Sequence, residues 1–222
     1  MNRYCYAWLL PLLLCLLSAC GDDEYCYPSV KLEFLTAFAG EDGSLCSVLT
    51  DEGDTFPVME DRTNTRVDAN ASVRVISNYA LENAADGTVG ARLYGLSKVV
   101  SGIPRSADKF EGGVKVDPLD VLSIWMGLDY LNMTLEVKER GKYTLGFVED
   151  EVTMDATTGC CDVCLTLYHE AEEKTLSYTR RAYASLPLRQ YATEDVRSVA
   201  VHLNVHTYSG TVKTYNFDYM PK

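Results

Sequence analysis

Residues 117–135 read DPLDVLSIWMGLDYLNMTL, the longest apolar run beyond the N-terminal leader, and they include Trp125. Asp117-Pro118-Leu119-Asp120 sets an acidic cap, a proline at the first helical position and a second acid in the first turn, and Gly127 offers a stop. These signals predict a short helix or helical turn over 118–126, although Val121, Ile124 and Trp125 also suit a strand. From Tyr130 the period is two: Leu131, Met133, Leu135 and Val137 face one way, and Asn132, Thr134, Glu136 and Lys138 the other. The run therefore opens a β-rich second half at about residue 116.

Downstream, the chain turns through Gly141 and runs back over 143–148. Cys161, Val163, Leu165 and Leu167 mark another inward row, and a further strand is expected over 175–183. The last two strands permit a register argument. Val199, Val201, Leu203 and Val205 form one face, and Lys213, Tyr215, Phe217 and Tyr219 form one face of the return. A two-residue loop would mix the faces, whereas a Tyr208-Ser209-Gly210 loop with Gly210 at positive φ pairs Leu203 with Tyr215 and Val201 with Phe217. About six antiparallel strands make residues 116–222 a β-sandwich.

Upstream, alternation over 30–38, a return at 45–50, a short strand from Thr55 and two strands at 72–79 and 89–99 give five short strands and no convincing helix. That pattern fits a small, nearly closed barrel of the OB type over 30–115, with the Gly- and Pro-bearing stretch 101–115 as linker. The fold class is accordingly all-β, an OB-like barrel followed by a sandwich.

Residues 1–19 form a leader, with Arg3 as its basic start and an apolar core at 7–17. Leu17-Ser18-Ala19-Cys20 is a lipobox, so Cys20 is expected to become the lipidated N-terminus, held to a membrane without spanning it. Asp22, Asp23 and Glu24 open a tether over 20–29 and are similar to an outer-membrane export signal of Bacteroides-type bacteria. The expected location is thus the outer membrane, facing the cell surface. The net charge of −12 falls to −13 when Arg3 leaves. This argues against nucleic-acid binding, which needs a basic stripe.

Beyond Cys20 the cysteines are Cys26, Cys46, Cys160, Cys161 and Cys164. Their odd number excludes complete pairing within one chain, and free thiols are expected for most. On an extended strand Cys160 and Cys164 share a face but stand about 13 Å apart, too far for a disulfide or a shared zinc. His202 and His206 are likewise spread along a strand, and His169 beside a turn has no obvious acid partner. There is no nucleophile elbow and no phosphate-binding Gly-rich loop. No cofactor, metal site or catalytic residue is therefore expected. Abundant carboxylates keep one alternative open, a hydrolase with dispersed acids.

The lipobox at Cys20, Leu49-Thr50-Asp51-Glu52-Gly53, Asp117-Pro118 with Trp125, Gly127 and Tyr130-Leu131-Asn132, and the Gly210 hairpin together resemble the NigD-like lipoproteins. The resemblance implies an N-terminal OB-like domain, a C-terminal sandwich and an association with bacteriocin immunity, without catalytic residues. Cys160, Cys161 and Cys164 have no counterpart in it. The expected function is non-enzymatic binding of a protein toxin, a glycan or an envelope partner. A hydrolase or a structural subunit of an envelope complex are the alternatives. Trp125 is expected to be a packing anchor beside the interdomain joint, with a truncation cost of roughly 3–5 kcal/mol.

Overall fold

The structure is a computed structural model that describes residues 29–138, 141–172 and 178–221. Cys20, Asp22, Asp23, Glu24 and Cys26 lie outside the described residues. Five strands, β1 (Lys31–Ala39), β2 (Leu45–Thr50), β3 (Thr55–Asp61), β4 (Ser72–Asn83) and β5 (Val89–Lys98), close a barrel in the order β1-β2-β3-β5-β4. Leu35, Ala37, Val48, Val75, Tyr79, Ala91 and Leu93 fill it. Alternation along β1 implies one dry face, yet Phe34, Leu35, Thr36 and Ala37 are all buried. The odd-numbered row fills the barrel, while Phe34 belongs to a separate cluster with Ile76, Val99, Trp125 and Tyr183. That cluster is the joint with the second half.

The second half has strands β6 (Arg105–Ser106), β7 (Asp120–Gly127), β8 (Tyr130–Lys138), β9 (Tyr143–Asp155), β10 (Cys160–Ala171), β11 (Thr179–Pro187), β12 (Ser198–His206) and β13 (Val212–Tyr219). A five-stranded sheet, β13-β12-β10-β9-β6, faces a three-stranded one, β11-β8-β7. The expected inward rows are the core: Leu131, Met133, Leu135, Val163, Leu165, Val201 and Leu203 are each fully buried. The last hairpin has the expected register, Leu203 opposite Tyr215 and Val201 opposite Phe217, and Gly210 has φ 78°. β10 and β12 run parallel, because the intervening β11 crosses to the other sheet.

Residues 118–126 are not helical: β7 is a strand paired antiparallel with β8. The register shifts between Val121 and Ser123, leaving Leu122 half exposed. A bulge advances the phase by one residue, so Val121 and Ile124 both pack on the core at a spacing of three that imitates a helix. Asp117 is not a helix cap either. Its carbonyl accepts from His169 Nδ1 at 2.8 Å, and its carboxylate accepts from the Ala171 N–H at 3.0 Å. These contacts tie the start of the run to β10, and the buried His169 is thereby a structural residue.

The tight turn from β7 to β8 holds Leu128 at φ 49°, a conformation costing a side-chain-bearing residue about 1–2 kcal/mol. Its neighbour Asp129 holds the turn in place, accepting from the Leu188 N–H at 2.9 Å, Tyr219 Oη at 2.7 Å and Arg189 Nη1 at 3.0 Å. The stretch 101–115 lies against the sandwich. Arg105 pairs with Val148, and Phe110 stacks on Tyr168 with ring centres 4.7 Å apart.

Four buried phenols donate to carboxylates: Tyr79 to Glu33 and Tyr191 to Glu149, both at 2.6 Å, Tyr219 to Asp129 at 2.7 Å, and Tyr168, whose pKa burial also raises, to Glu170 at 2.9 Å. Burial first, and the adjacent carboxylate second, push Tyr79 and Tyr191 well above the usual tyrosine range and Tyr219 up to about 12. A folded-state pKa above the unfolded value near 10 means stability that is complete below pH ~10 and lost as pH rises further. In an alkaline titration followed by tyrosinate absorbance, these phenols are expected to ionise after the exposed ones. Unfolding should set in on the way to pH 12, and tyrosines that all titrate together near pH 10 in folded protein would contradict this.

Candidate functional site

Arg74 is the one arginine in the 72–79 strand pattern, on the face of β4 that looks out of the barrel. Its side chain is 2% exposed, and its guanidinium reaches residues of both halves. It pairs with Asp51 from the β2–β3 turn and donates to Asn132 Oδ1 at 3.0 Å, and at 3.3 Å to both Ser185 Oγ and Thr36 Oγ1. It lies over the Tyr130 ring at 4.2 Å. Asn132 Nδ2 in turn donates to Asp51 Oδ2 at 2.7 Å, and Ser185 Oγ to Asn132 Oδ1 at 2.6 Å. Burial pushes the Asp51 carboxyl above its usual range, against the opposing pull of Arg74 and Asn132. A side chain at Gly127 would collide with this group, since its Cβ would lie 2.7 Å from Asn132 Nδ2 and closer still to Asp51.

Beside this group a cleft of about 260 Å³ opens along the joint. Phe34, Ile76, Trp125 and Tyr183 supply its apolar wall, Glu33, Asp51 and Glu52 its carboxylates, and Arg181 a cation. Trp125 meets Phe34 edge-on, with centroids 5.2 Å apart at 86°, and Phe34 meets Tyr183 at 5.9 Å and 77°. Trp125 is therefore a joint residue, as expected, but it is only half buried and also lines the opening. Glu33 is held by Tyr79 and lies 3.7 Å from Lys31 Nζ. Both Asp51 oxygens are engaged by Arg74 and Asn132. The cleft thus gathers acids, but two of the three already serve the fold.

The remaining expected candidates are dispersed. Cys161 points into the core and Cys160 and Cys164 outward. Burial raises the Cys161 and Cys164 thiols above their ordinary pKa, which disfavours the reactive thiolate. His202 lies beside Cys164, with Nδ1 at 2.6 Å from Asn216 Oδ1 and Nε2 at 3.4 Å from Asp162. The bond to Asn216, and then the nearby carboxylates, raise its pKa. Among the described residues no group of three or more His, Cys, Asp or Glu is placed to hold a metal, and no helix is long and apolar enough to cross a membrane. Arg74, Arg181 and the joint role of Asn132 have no motif of their own in the sequence. The one visible sign is a charge set inside the Val73-Arg74-Val75-Ile76 strand.

Residues 103–219 match the family model described as the NigD-like C-terminal beta sandwich domain. A crystal structure of a NigD-like immunity protein from Bacteroides caccae is 37% identical, with TM-score 0.73, covering 89% of this chain and 100% of its own. A protein of Parabacteroides distasonis, named only provisionally as toxin-related, is 15% identical with TM-score 0.68 and coverage of 86% and 94%. A provisionally named lipoprotein of Bacteroides fragilis is 10% identical with TM-score 0.60 and coverage of 88% and 99%. The last two share the fold. No curated protein matches the chain.

Two variants test the joint. Arg74→Ala leaves Asp51 buried without its cation and should lower unfolding free energy by about 3–5 kcal/mol, whereas Arg74→Met with Asp51→Asn should cost less. Urea denaturation reads both, and a double variant as unstable as Arg74→Ala would show that shape, not charge, dominates. Trp125→Ala should cost about 2 kcal/mol, less than a fully buried tryptophan, because part of its surface is already wet.

Proposed function

This chain belongs to the NigD-like family, and we propose that it is a lipid-anchored, non-catalytic binding protein of the bacteriocin-immunity type. The observation that carries the reading is the likeness to the Bacteroides caccae immunity protein, whose whole length this chain matches. The lipobox supports attachment through Cys20, and Asp22, Asp23 and Glu24 support export to the cell surface. In this reading the joint cleft is the contact site and its partner is a protein toxin. Leu32 supports this as an exposed apolar group on the rim, 57% accessible, next to Trp125, Tyr183 and Arg181. Aromatic and arginine side chains are enriched where proteins meet.

The hydrolase alternative would draw on Glu33, Asp51 and Glu52 in one cleft. The prior engagement of Glu33 and Asp51 disfavours it, since an acid–base pair needs both groups available to substrate.

Deleting the gene should raise sensitivity to the cognate bacteriocin, and wild-type chain should restore protection. Leu32→Asp with Arg181→Glu, folded by its thermal melt, should fail to restore it. Unchanged sensitivity of the deletion strain would remove the immunity reading, and full rescue by the double variant would move the contact away from the cleft.

A further inference from the structure

β9 extends past its neighbour. β6 covers only Val148 and Glu149 on its outer edge, while β10 occupies the other edge as far as Asp155. Residues 150–155 are all exposed, and among the described residues their outer edge has no ladder partner. Six residues span about 20 Å, and alternate ones turn their N–H and C=O groups outward. A bare edge of this length is a template for a further strand.

The side chains say what kind of strand. Val152 and Met154 pair with Val163 and Cys161, so they lie on the face that elsewhere forms the core. The smaller sheet does not reach them, and they remain 44% and 41% exposed. Glu151, Thr153 and Asp155 occupy the other face, and Asp150 sits in the bulge between Glu149 and Glu151. The whole stretch 143–172 contains no lysine or arginine. A second copy of this chain is a poor occupant: antiparallel self-pairing centred on Thr153 sets Glu151 against Asp155, and in-register parallel pairing sets each acid against itself.

We propose that residues 150–155 of β9 are a strand-addition site for an extended, cationic segment of a partner protein in which basic and apolar residues alternate. Its apolar side chains cover Val152 and Met154, and its basic ones lie beside Glu151 and Asp155. The site is separate from the joint cleft and does not depend on the immunity reading.

The test uses the folded chain with three labelled peptides: a Lys-Val repeat, a Glu-Val repeat, and a Lys-Pro repeat with the same charge but half the backbone donors. The Lys-Val repeat should bind saturably, at least tenfold tighter than either of the others, and should protect amides within 150–155 from hydrogen exchange. Glu151→Lys with Thr153→Lys, checked for an unchanged melt, should weaken it at least tenfold and improve binding of the Glu-Val repeat. Arg181→Glu should leave it unchanged. Equal binding of the Lys-Pro repeat would reduce the effect to charge attraction and overturn the proposal. Protection at Leu32 and Trp125 in place of 150–155, or dimerisation of the chain through this edge, would overturn it too.

Discussion

A single buried guanidinium holds the two halves of this protein in one arrangement. Arg74 leaves the barrel wall and finds its partners in Asp51 on the barrel side and in Asn132, Ser185 and Tyr130 on the sandwich side. Such a group need not add much net stability, because desolvating the charges costs about as much as their attraction returns. What it imposes is geometry. Any rotation at the joint would leave a charge without partners in a dry environment, so rigid docking is the low-energy state. The chain leaving the barrel reinforces this: Val99 donates to the Arg74 carbonyl, and Val100 exchanges hydrogen bonds with Tyr183 and Ser185.

Five of the residues that carry the family likeness converge on this point. Asp51 supplies the carboxylate, Gly127 the space, Tyr130 the aromatic face and Asn132 the amide, with Trp125 packed against Phe34 alongside. The Trp-x-Gly-x-x-Tyr-Leu-Asn string is therefore first a device for joining two β domains. The cleft exists because the joint is rigid: its apolar wall comes from strands β1, β4, β7 and β11, and Asp51 in the β2–β3 turn is pinned by Arg74 and Asn132. A fixed, half-apolar opening with a few charges suits recognition of a partner surface better than chemistry, which needs acids not already committed to the fold.

The alternating segments were legible because a strand with one dry face writes its period into the sequence. The sandwich rows from Leu131, Cys161 and Val199 and the three-residue hairpin at Gly210 follow from that alone. Residues 118–126 were not legible, since the bulge at Leu122 puts Val121 and Ile124 on one side at helical spacing while Asp117-Pro118 imitates a helix start. β1 was half legible: its alternation was visible, but not that the second face is covered by the other domain. Arg74 was illegible as a site residue because a charge within a strand ordinarily faces water.

The sequence by itself determined the all-β class, the division into barrel and sandwich and the family, since local period and short motifs are properties of neighbouring residues. The expectations of a lipidated Cys20 and an outward-facing location rest on the sequence too. Only the tertiary structure decided that Arg74 is the hinge pin, that Trp125 is both anchor and cleft wall, and that β9 outruns its sheet. Each of these is a relation between residues as many as 111 positions apart, as with Arg74 and Ser185. Burial and pairing at that range are set by how the sheets dock, which no local pattern encodes.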